Sequence, residues 1–130
     1  MNSNTRLLSG EIIQMALEKT EHAQFIYITY SRQGYKDVEQ FRITLSSLMS
    51  DRTSEKDIVI DFGTSKLLTS PEIGSVVRLA QGIAGTSRFL RVIPGEGLYK
   101  QLTALNLTHL SHLAIYKTRE DFAEQLKKMQ

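Results

Sequence analysis

Residues 57–74, DIVIDFGTSKLLTSPEIG, limit the possible folds more than any other stretch of the chain. The run from Ile58 to Phe62 shows no alternation of apolar with polar side chains over Ile58, Val59 and Ile60. A strand that is apolar on both faces has to be covered on both, as strands in parallel sheets are. The run ends at Asp61-Phe62-Gly63, and a polar loop then closes on Thr69-Ser70-Pro71-Glu72. From there Ile73, Val76, Val77, Ala80, Ile83 and Ala84 recur at helical spacing and mark one face of a helix. Gly85 is placed to end that helix in a left-handed cap. Strand, loop and helix start, in that order, bring hydroxyl side chains to a place where backbone N–H groups point outward and the helix dipole favours negative charge. Such a place suits a phosphate, either on a bound ligand or added covalently to a side chain.

The rest of the chain repeats the same alternation. Phe25-Ile26-Tyr27-Ile28-Thr29-Tyr30 is rich in β-branched and aromatic residues and predicts a strand. The apolar residues of 11–18 fit a strand or a short helix. The polar break Lys19-Thr20-Glu21-His22 favours a hairpin with the strand after it, and residues 1–8 are expected to be loose. Val38, Phe41, Leu45 and Leu48 predict an amphipathic helix ending near Ser50. Residues 89–93 read as a strand stopped by Pro94-Gly95. Leu98, Leu102 and Leu105 make a third helix, and residues 113–116 a last strand. Thr118 then caps a final helix that runs through Phe122, Leu126 and Met129, with Asp121 at its third position. A hairpin followed by helix-then-strand units implies a largely parallel sheet with right-handed crossovers, in a single domain over 9–130.

Composition excludes several classes of function. Sixteen basic residues against fourteen acidic ones give a net charge of +2, interspersed and without a basic run, so nucleic acid is not expected as a partner. With no cysteine there is no disulfide, thiolate metal site or cysteine nucleophile. No apolar stretch approaches the ~18 residues that a membrane span needs, and residues 1–10 lack the layout of a signal peptide, so the expectation is a cytoplasmic domain without membrane insertion.

Catalytic chemistry finds little to stand on. The histidines are His22, His109 and His112, of which the last two are better read as loop residues near a helix end than as metal ligands. Gly95-Glu96-Gly97 lacks the third glycine of a dinucleotide fingerprint and reads as a strand-to-helix turn. Asp57, Asp61, Glu72 and Glu96 are scattered; Asp61 could serve as a general base, but turn and capping roles are commoner at a strand end. Arg78, Arg88, Arg91 and Lys100 are read as solvated exterior, with Arg88 beside a helix terminus that it would stabilise. No nucleophile–base pair, metal set or cofactor motif emerges, so neither an enzyme nor a cofactor is expected. Thr69-x-x-Glu72 has the spacing of a capping box, with Pro71 early in the first turn. Thr69 or Ser70 can therefore be a plain helix cap, or one of them a phosphate acceptor.

Three pieces of the sequence resemble the STAS domain, the fold of the bacterial anti-sigma-factor antagonists. DIVIDFGTSKLLTSPEIGSVVRLA is similar to that family's buried strand, the aspartate near its end, the signature loop and the helix that follows. AGTSRFLRVIPGEGLYKQLTALNL is similar to its next turn, strand and helix, with the family's Leu-x-x-Leu step at Leu102–Leu105 or at Leu105-Asn106-Leu107. LAIYKT followed by REDFAEQLKK is similar to the closing strand and helix. The resemblance implies an α/β fold with a mixed, mostly parallel sheet of about four to five strands and about four helices. It also implies a non-enzymatic regulatory module that binds an anti-sigma factor with serine-kinase activity and is released by phosphorylation.

The loop departs from the family's pattern. The phosphate-accepting serine of the family falls on Pro71, which has no hydroxyl, its aspartate on Thr69 and its first glycine on Glu72. Ser70 matches the first serine and would be an acceptor only if the loop were shifted by one residue. Glu72 is expected to place a fixed negative charge beside the site. The residues expected to meet a partner are Lys66, Thr69, Ser70, Pro71, Glu72, Ile73, Gly74 and Val77, within a loop and helix face spanning 65–77. A small anionic ligand or nucleotide at the helix start, a subunit role in a transporter or lipid-transfer complex, and a homodimer remain alternatives.

Overall fold

In the computed structural model the described residues are 5–8, 11–14, 16–51, 53–63 and 65–129; for 5–8, 11–14, 96, 108 and 129 the backbone alone is described. Five strands form one sheet: β3 (Leu17–Glu21), β4 (Phe25–Tyr30), β5 (Asp57–Asp61), β6 (Leu90–Ile93) and β7 (Leu113–Ile115), side by side in chain order. β3 and β4 are an antiparallel hairpin, and the pairs β4–β5, β5–β6 and β6–β7 are parallel. Ahead of them β1 (Thr5–Leu8) and β2 (Glu11–Gln14) pair with each other as a separate two-stranded sheet. The helices are α1 (Lys36–Ser50), α2 (Ser70–Gly82), α3 (Gly95–Ala104) and α4 (Arg119–Met129).

Because the parallel strands are laid down in one direction, right-handed crossovers place all three connecting helices on the same face of the sheet. The period of two along each strand sorts the side chains accordingly. Ile26, Ile28 and Tyr30 of β4, Ile58 and Ile60 of β5 and Leu90 and Val92 of β6 form the larger cluster, together with Phe41 and Leu45 of α1, Val76 and Leu79 of α2 and Leu98 and Leu102 of α3. Val59 and Ile93 face the other way, where α4 returns after β7 and seats Phe122 among Phe25, Tyr27 and Tyr116. β5 is buried on both faces, as its unbroken apolar run required.

Several local expectations are corrected. Lys19-Thr20-Glu21 belongs to β3 rather than to a break, because β3 is an edge strand whose polar side chains stay in water. Of residues 11–18, residues 11–14 form β2 and residues 17–18 begin β3. Of the segment 1–8, expected to be loose, residues 5–8 form β1 and residues 1–4 lie outside the described residues. α2 stops at Gly82, where the Ile83 N–H turns back to the carbonyls of Leu79 and Gln81, and Gly85 does not take a left-handed conformation. Leu105 lies outside α3 and is half exposed; left-handed Asn106 (φ 60°) reverses the chain, and Leu107 enters the core in its place.

Candidate functional site

The site begins where β5 ends. Thr69 has extended backbone (ψ 164°) and caps α2: its side chain accepts from the Glu72 N–H at 3.4 Å, and the Glu72 carboxylate accepts from the Thr69 N–H at 2.7 Å. This is the complete capping box that the Thr-x-x-Glu spacing predicts. The Thr69 hydroxyl also donates to Glu72 at 3.0 Å, so both its roles are occupied. Ser70 is exposed, and its hydroxyl makes no hydrogen bond among the described residues.

Glu72 is the largest departure from the sequence reading. It was expected to offer a negative charge on the docking surface, but it is fully buried at 0% exposure. Besides Thr69, its carboxylate accepts from the hydroxyl of Tyr30, the last core-facing residue of β4, and from Arg32, two residues beyond it. A buried carboxylate persists only when paired and hydrogen-bonded, and here all the partners are supplied. The spacing reveals the cap; Tyr30 and Arg32, about forty residues away in sequence, leave no local signal.

The loop ahead of α2 is fixed from the side of α3. The Gln101 side chain donates to the Leu68 carbonyl at 3.0 Å and accepts from the Leu68 N–H at 2.9 Å, so it pairs with the loop as a neighbouring strand would. Gly97 lets α3 approach closely: a Cβ there would stand 3.2 Å from the Lys66 carbonyl oxygen. Gly95 (φ +72°) turns the chain into α3, and its own Cβ position faces the Gly63 carbonyl at 3.0 Å. The pair of glycines read as a strand-to-helix turn is thus also a contact surface for the loop. The side chain of Glu96 between them lies outside the described residues. With the loop held this way, Leu67 points outward at 63% exposure beside exposed Lys66, Thr69, Ser70 and Pro71, while Ile73, Gly74 and Val77 are half-buried.

Asp61 is held by a second, similar network. It is buried, accepts from the Tyr27 hydroxyl at 2.6 Å and from Arg119 Nε at 2.7 Å, and closes a turn by accepting from the Gly63 N–H at 2.8 Å. This is the turn role, stiffened by an ion pair that joins β5 to the start of α4. The Thr118 hydroxyl caps that helix by accepting from the Asp121 N–H at 3.1 Å, as its sequence predicts.

Burial, and then the hydrogen bond to Asp61, push the Tyr27 phenol well above its ordinary value of 10.0; burial, and then the bond to Glu72, do the same for Tyr30. Each folded value lies above the unfolded one, so this stabilisation is complete below pH 10 and is lost as the pH rises beyond it. An alkaline titration followed by tyrosinate absorbance is expected to leave Tyr27 and Tyr30 protonated past pH 10 until the protein unfolds. In Tyr27→Phe or Tyr30→Phe the delayed signal should fall by one tyrosine.

The remaining candidates take structural places. Arg88, expected in solvent, is buried: its Nε donates to the Lys56 carbonyl at 2.7 Å and its Nη1 to the Leu48 carbonyl at 3.3 Å, at the C-terminal end of α1. Arg91 is half-buried and pairs with Asp57 at 2.9 Å. Arg78 and Lys100 are exposed. His112 is tied by Nε2 to the Thr86 carbonyl at 2.9 Å, and His22 stacks on Phe25 at 4.6 Å. Among the described residues no group of three or more His, Cys, Asp or Glu side chains could hold a metal ion, and no helix is long and apolar enough to cross a membrane.

This architecture, with its hairpin, one-directional parallel strands and loop before the second helix, is the fold of the anti-sigma-factor antagonists. A crystal structure of a Thermotoga maritima protein described as a candidate anti-sigma factor antagonist superposes with a TM-score of 0.68 at 15% identity, covering 85% of this chain and 94% of that one. An NMR structure of the same Thermotoga protein gives a TM-score of 0.63 at 14% identity, covering 85% and 87%. At these identities the likeness is one of fold. No family model matches the sequence, and no curated protein shows a significant match to it.

Proposed function

We propose that the chain is a non-enzymatic regulatory module that docks a protein partner, of the anti-sigma-factor or kinase-like switch type, through the loop and helix face of residues 65–77. The observation that carries this reading is the combination of a held loop and an exposed apolar tip: Leu67 stands in water on backbone fixed by Gln101, Gly97 and the capping box. A surface already ordered before contact loses little entropy on binding.

A small anionic ligand at the start of α2 is less well supported. Pro71 has no N–H, the Glu72 N–H is taken by Thr69, and the anion that a helix start favours is already present as the Glu72 carboxylate. Of the two hydroxyls at the helix start, Ser70 is the one free to accept a phosphate, because that of Thr69 is engaged in the cap. A phosphate on Ser70 would add roughly −1.5 to −2 charges at the centre of the docking face.

The test is calorimetric binding to each anti-sigma factor encoded by the source organism. Ser70→Asp, Pro71→Asp and Gly74→Arg are each expected to weaken binding by about tenfold or more, about 1.4 kcal/mol. A negative residue in the first helical turn suits the dipole, so Ser70→Asp and Pro71→Asp should stay folded. Unchanged affinity in all three variants would refute docking at this face. Intact-mass measurement after incubation with the cognate kinase and ATP should show one added phosphate that Ser70→Ala abolishes and Thr69→Ser does not.

A further inference from the structure

The burial of Glu72 has an electrostatic result that the amino-acid sequence hides. Between residues 62 and 88 the chain contains one carboxylate, Glu72, and it is turned inward and neutralised by Arg32. Within residues 62–88 the charges left outside are then all positive. Lys66 stands on the side of α3, where its backbone meets Gly97, and Arg78 leans toward α1 and lies over Gly74, 3.3 Å from the position a Cβ would take there. Neither forms an ion pair among the described residues; Arg78 donates to the neutral Ser75 hydroxyl at 3.4 Å. Exposed Leu67 and half-buried Ile73 and Val77 belong to the same stretch of chain.

Resting on the docking reading above, we infer that the partner's contact surface is acidic, with carboxylates placed to meet Lys66 and Arg78 around an apolar spot that receives Leu67. A planar guanidinium without an acidic partner suits a carboxylate in two-pronged geometry. Complementary charge of this kind speeds encounter and repels basic competitors. Two unpaired cations are too few for nucleic acid, where binding proteins neutralise about six to ten phosphates, and too few for an anionic membrane, where clusters of about four to eight basic residues are the rule. An acidic protein surface is the occupant that fits.

The experiment places a photo-crosslinking amino acid at position 67 of the full chain and identifies the adduct formed in lysate of the source organism by mass spectrometry. The crosslinked partner peptide is expected to carry an excess of Asp and Glu. Adduct yield should fall by about tenfold in Lys66→Glu/Arg78→Glu, persist in Lys66→Arg/Arg78→Lys, and decline between about 50 and about 500 mM salt. Replacing the partner's contacting carboxylates with lysine should restore the adduct with the charge-reversed variant. An adduct unaffected by charge reversal, or one lacking carboxylates, overturns the inference, as does competition by phosphatidylglycerol vesicles or duplex DNA. Pro71→Asp and Gly74→Arg separate the two readings. If they abolish the adduct while charge reversal does not, docking stands and the acidic partner falls; if they leave it intact, or if no adduct forms, docking falls as well.

Discussion

Glu72→Ala is expected to destabilise the domain by about 3–4 kcal/mol, among the larger effects available to one side chain. The substitution removes one half of the capping box and leaves the Tyr30 hydroxyl and the Thr69 N–H without their acceptor. A lost cap alone costs about 1 kcal/mol, and a charged hydrogen bond about 1.5–3 kcal/mol. Arg32 softens the loss, because its side chain is 32% exposed and can turn to water. Glu72→Gln keeps the shape and can keep the Thr69 hydrogen bonds, but it puts an amide NH2, which cannot accept, at the Tyr30 hydroxyl, and should cost about half as much. Urea denaturation followed by circular dichroism measures both. A loss below about 1 kcal/mol for Glu72→Ala would mean that the carboxylate acts as a cap and nothing more. Because Glu72 also fixes the start of α2, the alanine variant should bind partner more weakly even at temperatures where it stays folded.

Phe122→Ala should cost a similar amount, about 3–4 kcal/mol, with a different distribution over the molecule. Phe122 is the buried side chain by which α4 holds the second face of the sheet, its ring lying 5.4 Å from that of Tyr116 and 6.1 Å from that of Phe25 above Val59 and Ile93. Truncation opens a cavity that three neighbouring aromatic rings cannot refill without leaving their positions. Hydrogen exchange should therefore rise first in α4 and only later in α1 and α2, which pack on the opposite face. Partner binding by the folded fraction should be unchanged. Equal loss of protection across all four helices would show instead that the two clusters unfold as one unit.

The parallel sheet was legible in the sequence because its signals are local. The unbroken run of β5, the helical spacing of Val76 and Ala80, and the turn at Pro94-Gly95 each declare themselves within a few residues. The edge strand β3 was not, since a strand with one neighbour keeps the polar side chains of a loop. At the site, the capping box was readable from Thr69 and Glu72, yet its meaning for the surface was not. Whether a carboxylate at that position faces water depends on Tyr30 and Arg32, which the fold delivers from another strand end. Arg88 was misjudged for the same reason: the carbonyls of Lys56 and Leu48 that surround it come from distant turns of the chain. Gln101, which holds the loop, looked like an ordinary polar residue on a helix.

The carboxylate enclosed beneath Thr69 makes α2 a helix with its own internal counter-ion. Its first turn needs no dissolved anion to reach its final shape, so the loop geometry should be the same in dilute buffer and in the crowded cell. Control of such a surface would act through its charge, as a phosphate on Ser70 would, and not through its shape.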